Sequence, residues 1–515
     1  MNGAESLIAT LLGGGVEVCF TNPGTSEMHI VAALDRETKM RCVLGLFEGV
    51  VTGAADGYAR MASKPACTLL HLGPGLANGL ANLHNAQRAR SPIVSIVGQH
   101  ASEHLKFETP LKSDIEGIAR PYSDWLRTSA STAEVGRDAA EAVVAARAAP
   151  GQIATLIVPA DFAWSEGGAV SAVSAVPAAR RVSASRIERA AAMLRSGVQT
   201  CLLLTGDALY GAGLRAAGRI AAATGAKLLS PYPFARMERG GDAPVVERMP
   251  YIFEQAAALM KDCRQMILVG AEEPRTYFAH PTKGSVPTAA DCEIYALAVR
   301  GDDYSAALGE LAEALGCGGD VAVQKNAISR PAIPVGPITI AGLANAVAAV
   351  LPENAIVVDE SMTSGRGLME ATAGGVPHDW LANTGGSIGI AMPLAVGAAV
   401  ACPERRVLCL SADGSGMYTS QALWTMAREN LNVTTVIYAN RVYGVLKREF
   451  ASLGIGEPGQ RALDMFEIGR PEIDWIALAK GMGVRGVRAT SLERFGGALR
   501  DGFEGRGPSL IQVDL

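Results

Sequence analysis

Two distant stretches of the chain spell the same short unit. Cys67–Leu72 is an apolar run, followed by Gly73-Pro74-Gly75, a helical pattern over Leu80–Arg88 and a second apolar run, Ile93–Val97. Val407–Leu410 is followed by Ala412-Asp413-Gly414-Ser415-Gly416, a helical pattern over Thr419–Glu429 and the run Val433–Tyr438. Each reads as strand, tight small-residue loop, helix and strand. A right-handed crossover brings the ends of both strands to one sheet edge. Doubly wound sheets bind ligands at such ends, near a switch in strand order. The repeat therefore predicts two related doubly wound domains. Between them, Thr200–Leu204 with its Gly-Asp turn and Gln265–Val269 ending at Gly270 predict a third.

Ala169–Ser185 and Gly318–Pro337 break the pattern and read as linkers. The expected fold is α/β, with three doubly wound, parallel-sheet domains over 1–165, 182–322 and 336–515. Hydrophobic residues make up 49% of the 515, enough for several cores. The formal net charge of -5, with no run of Lys or Arg, excludes a nucleic-acid surface. The nine cysteines are scattered and form no C-x-x-C, so they read as reduced core residues rather than a disulfide or zinc framework. Ile388–Cys402, the longest apolar stretch, is interrupted by Gly389, Pro393 and Gly397 and is shorter than a membrane span, so it reads as a buried helix. Met1–Glu5 lacks the basic and apolar regions of a signal peptide. The expectation is a cytoplasmic protein with no membrane partner.

Asp413 and Asn440 end successive strands of the second repeat. Their hard oxygens suit Mg²⁺ or Ca²⁺ holding a phosphate, and the Gly414-Ser415-Gly416 loop lets backbone N–H groups approach an anion. A polar turn with a helix N-cap is the competing reading. Glu48 opens a helix of small apolar residues among Leu46, Phe47 and Val50, where burial would disfavour its charge. The competing reading is an exposed helix-start carboxylate favoured by the dipole.

The stretch Glu48–Arg60, EGVVTGAADGYAR, closely resembles the glutamate helix of thiamine diphosphate enzymes. Asp413-Gly414-Ser415 with Asn440 resembles their metal signature, although Ala412 and Ala439 replace a usual glycine and asparagine. The resemblance covers essentially the whole chain. It implies that Asp413, Asn440 and the Val442 carbonyl bind Mg²⁺, and that Thr363, Gly414 and Ser415 cradle the diphosphate. Tyr443-Gly444-Val445 borders the same cofactor. Gly386 and Ile388, in Gly386–Pro393, would accept the 4′-amino group and bend the cofactor into a V. Glu48 would hydrogen-bond the aminopyrimidine N1′ and so activate the thiazolium C2. The resemblance also implies a homo-oligomer, a dimer or tetramer, with active sites between chains and a small 2-oxo acid as substrate.

Within that family the pattern is most similar to the benzoylformate decarboxylases. Asn22-Pro23-Gly24-Thr25 places Thr25 at a catalytic serine, and His71, just before Gly73-Pro74-Gly75, at a catalytic histidine. Asn78 matches too, and His280 is a loose counterpart of a second histidine. Leu446 and Glu449 would line the substrate pocket, Glu449 standing where an aromatic residue is expected, with Arg448 beside it. The implied reaction is non-oxidative decarboxylation of a 2-oxo acid to an aldehyde. The alternatives are an acetolactate-synthase-type carboligase and a non-catalytic thiamine diphosphate binder. Thr200–Asp207 shows only a generic glycine turn, so FAD is not expected, and no G-x-G-x-x-G supports a nicotinamide site.

Overall fold

The computed structural model describes residues 1–319 and 329–515. Three sheets organise them. The first is entirely parallel, with strands in the order 41–44, 18–22, 66–70, 93–99, 153–159 and 125–128. The second is also parallel, in the order 247–248, 227–230, 200–204, 265–269 and 293–298. The third runs 485–489, 509–514, 433–439, 407–412, 355–360, 378–382 and 236–239. Its last strand, Arg236–Arg239, pairs antiparallel with His378–Ala382, so this sheet is mixed rather than purely parallel. The strand comes from the middle of the chain and adds a central-domain edge to the third sheet. The expected end of the central unit at residue 322 lies outside the described residues.

Central strands such as Ile93–Gln99, Ile153–Pro159 and Val433–Ala439 are apolar and buried, as strands covered by helices on both faces must be. Both repeats form βαβ units. Ala66–Leu70 pairs in parallel with Ile93–Gln99, and Val407–Ala412 with Val433–Ala439. Three helix boundaries differ from expectation. The helix after the first repeat's strand spans Leu72–Ala89, so Gly73-Pro74-Gly75 is its first turn and not a loop. Proline is tolerated there because first-turn N–H groups have no helical acceptor. In the second repeat the helix splits into Asp413–Met417 and Ala422–Arg428. The buried apolar helix begins at Ala391, not at Ile388, after positive-φ turns at Gly386 and Gly389.

The first and third domains meet where helix Glu48–Ala62 packs on helix Ala391–Ala401. Small residues let the two backbones approach: a Cβ on Gly57 would meet the Leu394 carbonyl, and one on Gly397 the Ala54 carbonyl. Beside this contact, the buried Asp56–Arg60 pair bonds through Nε at 2.8 Å. Arg60 also donates to the carbonyls of Ala382 at 2.7 Å and Ala235 at 3.1 Å, tying all three parts of the chain together. All nine cysteines are free, and Cys42 is exposed rather than in the core. Among the described residues no helix is long and apolar enough to cross a membrane.

Candidate active site

Both repeats end at a switch in strand order. In the first sheet, strand 18–22 lies between 41–44 and 66–70, so the chain turns in opposite directions beyond Asn22 and Leu70. In the third sheet the equivalent place lies between strands 355–360 and 407–412, at Glu360 and Asp413. Thr25, Glu48 and His71 follow strand ends of the first sheet, and Thr363, Asp413 and Asn440 follow strand ends of the third.

At the first switch point, Gly24 packs so closely on the His71 ring that a Cβ would strike it. Thr25 follows, exposed, at the start of the short 3₁₀ turn Thr25–Glu27. The turn sends Glu27 back beneath the site, fully buried. Its Oε2 accepts from the Gly24 N–H at 2.8 Å and lies 2.7 Å from His71 Nδ1. When Glu27 is ionised, Nδ1 is the donor of this bond and Nε2 is the nitrogen left for the site. Burial pushes the Glu27 carboxyl above its ordinary range, opposed by His71, and Oε1 has no hydrogen-bond partner. Glu27 was missed in the sequence. Its one local trace is half of a capping box, the Glu27 carboxylate accepting from the Gly24 N–H, since glycine has no side chain to complete it.

Glu48 begins its helix a few residues beyond the neighbouring strand, Arg41–Leu44. Asn78 Nδ2 donates to its Oε2 at 3.0 Å. Thr52 and Asn82 fasten this helix to helix Leu72–Ala89 through the carbonyls of Gly79 and Gly49. The apolar burial expected of Glu48 is incomplete in the single chain. Glu48 is half-buried and Leu46 is 49% exposed, because the strand-to-helix turn carries both to the domain's edge. His100 follows the strand Ile93–Gln99, and burial, His104 and His71 hold its pKa below the usual value.

At the second switch point, Asp413 is buried. Its Oδ1 accepts from the Gly414 N–H at 2.9 Å and its Oδ2 from the Arg441 N–H at 2.8 Å. Burial raises its pKa against those bonds. Asn440 donates to Thr363 Oγ1 at 3.4 Å and Ser364 Oγ at 3.2 Å, while its Oδ1 accepts from the Val442 N–H at 3.1 Å. Arg441, at φ 56, turns the chain between them. The Val442 carbonyl accepts one bond, from the Gly444 N–H at 2.8 Å, leaving a lone pair. A Cβ on Gly414 would come within 2.7 Å of the Tyr443 ring, and one on Gly444 within 2.9 Å of Thr363. Among the described residues no three His, Cys, Asp or Glu side chains gather, so a metal here would rest on one carboxylate with amide and main-chain oxygens. A buried carboxylate beside those oxygens and a glycine loop fits a hard cation that carries an anion.

Gly386, Ser387 and Ile388 form the segment beside this site. It is pinned from two sides. Asn85 of the first domain bonds the Ser387 carbonyl at 2.9 Å, and His84 lies 3.1 Å from the Gly385 carbonyl, a structural role. From below, the fully buried Glu360 accepts from Asn383 Nδ2 and the Gly389 N–H at 3.1 Å and the Ala391 N–H at 3.2 Å. Burial pushes Glu360 up to about 7 despite those bonds. Sequence reading missed it as well; its signal was a carboxylate closing the apolar strand Ala355–Glu360.

None of the hydrogen bonds of His280 goes to Glu27, His71, Glu48, Glu360 or Asp413. Its Nε2 lies 2.8 Å from the Ser452 carbonyl, at the end of helix Gly444–Ser452. That helix carries Val445, Leu446 and Glu449, with Leu446 exposed. The residue of the same loop that meets the Gly386 segment is Tyr277, 3.6 Å from where a Gly386 Cβ would stand. His29 stacks on Trp164, and His378 is buried against the Val376 carbonyl, both away from these crevices.

Residues 1–118 match the N-terminal TPP binding domain of thiamine pyrophosphate enzymes, and residues 367–513 the C-terminal one. Over 514 residues the chain is 52% identical to a Mycobacterium tuberculosis protein named "Putative acetolactate synthase large subunit IlvX", covering 100% of this chain and 99% of that one. It is 28% identical over 535 residues to the benzoylformate decarboxylase of Pseudomonas aeruginosa, covering 97% and 96% of the two chains. The solved structure of a thiamine diphosphate-dependent 4-hydroxybenzoylformate decarboxylase from Rhodococcus jostii shares the fold, with TM-score 0.86, 23% identity and coverage of 100% and 99%. With a thiamine-pyrophosphate-binding domain at each end and a relative matching its full length, the chain belongs to the thiamine pyrophosphate enzymes, in the superfamily that holds the decarboxylases and the acetolactate synthases.

Proposed function

We propose that the chain decarboxylates a 2-oxo acid non-oxidatively to an aldehyde, using thiamine diphosphate and Mg²⁺, in the manner of the benzoylformate decarboxylases. The observation that carries this reading is the Glu27–His71 pair at the first switch point. Turning a 2-oxo acid into an aldehyde and CO₂ adds one proton to the former carbonyl carbon. A histidine with one nitrogen fixed by a buried carboxylate and the other free is suited to move that proton.

Asp413, Asn440 and the Val442 carbonyl would hold Mg²⁺. Thr363, Gly414 and Ser415 would hold the diphosphate, with Tyr443, Gly444 and Val445 alongside. Gly386, Ile388 and Glu48 would hold the aminopyrimidine. Thiamine diphosphate, when bound, supplies a nucleophilic carbon and the electron sink for loss of CO₂. Glu48, positioned by Asn78, holds a proton opposite the pyrimidine. Glu27 keeps the His71 proton on Nδ1, so Nε2 accepts or returns the proton destined for the aldehyde carbon. Thr25, which follows the Gly24 packed on that histidine, would orient the substrate. The enzyme works in the cytoplasm as a homo-oligomer.

A second reading, acetolactate-type carboligation, is favoured by the name of the 52% identical relative. One assay separates the two. Purified protein with thiamine diphosphate and Mg²⁺ is given phenylglyoxylate or pyruvate, and CO₂ and products are measured. Benzaldehyde from phenylglyoxylate is the expected result. Acetolactate from pyruvate, without benzaldehyde, replaces the decarboxylase reading with the carboligase one.

A further inference from the structure

The central domain sends one aromatic cluster to the edge of the site. Tyr232, Tyr251 and Tyr277 form a closed triangle, with ring centroids 5.4 Å apart for 232–251 and 251–277 and 5.8 Å for 232–277. Tyr277 faces the Gly386 segment of the third domain, 3.6 Å from where a Gly386 Cβ would stand. Burial and the charge of Glu449, on helix Gly444–Ser452, raise the pKa of the Tyr251 hydroxyl. The Arg248 guanidinium lies over the Tyr232 ring, 5.1 Å from its centroid. His280, three residues beyond Tyr277, is bonded to Ser452 at the end of the same helix. One loop and its ring neighbours thus bridge both third-domain segments that border the proposed cofactor site.

We propose that Tyr277, backed by the rings of Tyr232 and Tyr251, is a specificity-determining wall that selects 2-oxo acids with a flat, unsaturated ring over those with a small alkyl group. This rests on reading Gly386 as part of the cofactor site. Burial pushes both Tyr251 and Tyr277 up to about 12, so their hydroxyls stay protonated and present no charge to an incoming carboxylate. Tyr232 and Tyr277 pack edge to face, an arrangement that a further flat ring can also adopt against Tyr277. A methyl group gains little from such a wall. Glu449, unexpected on a pocket lining, accepts from Ser452 Oγ at 3.4 Å within its own helix.

The test uses acylphosphonates in place of the 2-oxo acids; they keep the carbonyl but carry no carboxylate to lose as CO₂, so the test does not require turnover. Benzoylphosphonate and acetylphosphonate are titrated by calorimetry into the holoenzyme saturated with thiamine diphosphate and Mg²⁺. The wild type is expected to prefer the benzoyl compound. Tyr277→Ala is expected to weaken it by about tenfold, the loss of one ring contact, and to leave acetylphosphonate within about twofold. Tyr277→Phe should keep the preference, and His280→Ala, which leaves the ring in place, should keep most of it. Equal weakening of both phosphonates by Tyr277→Ala, no preference in the wild type, or no binding of either would overturn the proposal. Benzoyl selectivity without CO₂ release from phenylglyoxylate would keep the wall and remove the decarboxylase reading instead.

Discussion

Two buried carboxylates govern the site from beneath, and each makes a prediction. Glu27→Gln can still accept from Gly24, but it no longer fixes the His71 tautomer. Turnover should fall by about a hundredfold, the usual worth of one positioned acid–base group, with thiamine diphosphate affinity unchanged. Unaltered kcat would leave His71 without its orienting partner's role. Glu360 predicts a pH dependence of stability. Its folded pKa is about 7 against an ordinary 4.5, so between these values the folded state holds a proton that the unfolded chain has released. Stability must then fall as pH rises through that window, by up to about 3 kcal/mol. Urea unfolding of the wild type across it should show the loss, and Glu360→Gln should be flatter; a parallel slope in both proteins would assign the dependence elsewhere. At this scale the motif-bearing residues Glu48, His71, Asp413 and Asn440 were legible in the sequence, because each stands at a fixed place in a local pattern. Glu27 and Glu360 were not, because their environments are made by distant neighbours: His71 across 44 positions, and Gly389 across 29.

Among the elements, helix Glu48–Ala62 shows how glycine placement carries the fold. Gly57 lies against the Leu394 carbonyl of helix Ala391–Ala401, so Gly57→Ala should force the helices apart and cost about 1–3 kcal/mol. Gly309, inside helix Tyr304–Ala314, has nothing within 4 Å of its Cβ position, so Gly309→Ala should stabilise by about 0.5–1 kcal/mol. Thermal midpoints of the two variants should move in opposite directions. A shift of the same sign in both would mean that helix propensity, not packing, dominates. Periodicity exposed these helices but misplaced their ends. Gly73-Pro74-Gly75 has the composition of a loop, yet it folds as a first turn, since the Gly75 N–H finds the His71 carbonyl at 2.8 Å. The strand Arg236–Arg239 was invisible for another reason. Its pairing partner, His378–Ala382, is supplied by a different domain, and no local pattern encodes that.

For the whole molecule, the duplicated unit foretold two crevices, and the fold places one in each terminal domain. The hydrogen bonds of the Glu48 carboxylate stay within the first domain, and those of Asp413 within the third. Exposed apolar side chains accompany both halves: Leu46 at 49% near Glu48, and Tyr418 at 53% and Leu446 at 48% near Asp413. Apolar surface of that kind around a half-site is what a second copy would cover. If each active site joins Glu48 of one chain to Asp413 of another, two inactive variants should rescue each other. Glu48→Gln and Asp413→Ala are each expected to lose nearly all CO₂ release. In a mixed dimer one site carries both lesions and the other carries neither. Random mixing makes half the dimers mixed, so coexpression should restore about a quarter of wild-type activity. A site completed within one chain would regain nothing, since every site would then hold one lesion. Sedimentation of the mixture, with the two variants tagged differently, confirms that mixed dimers formed, so an inactive but mixed population would place Glu48 and Asp413 of one chain in the same site.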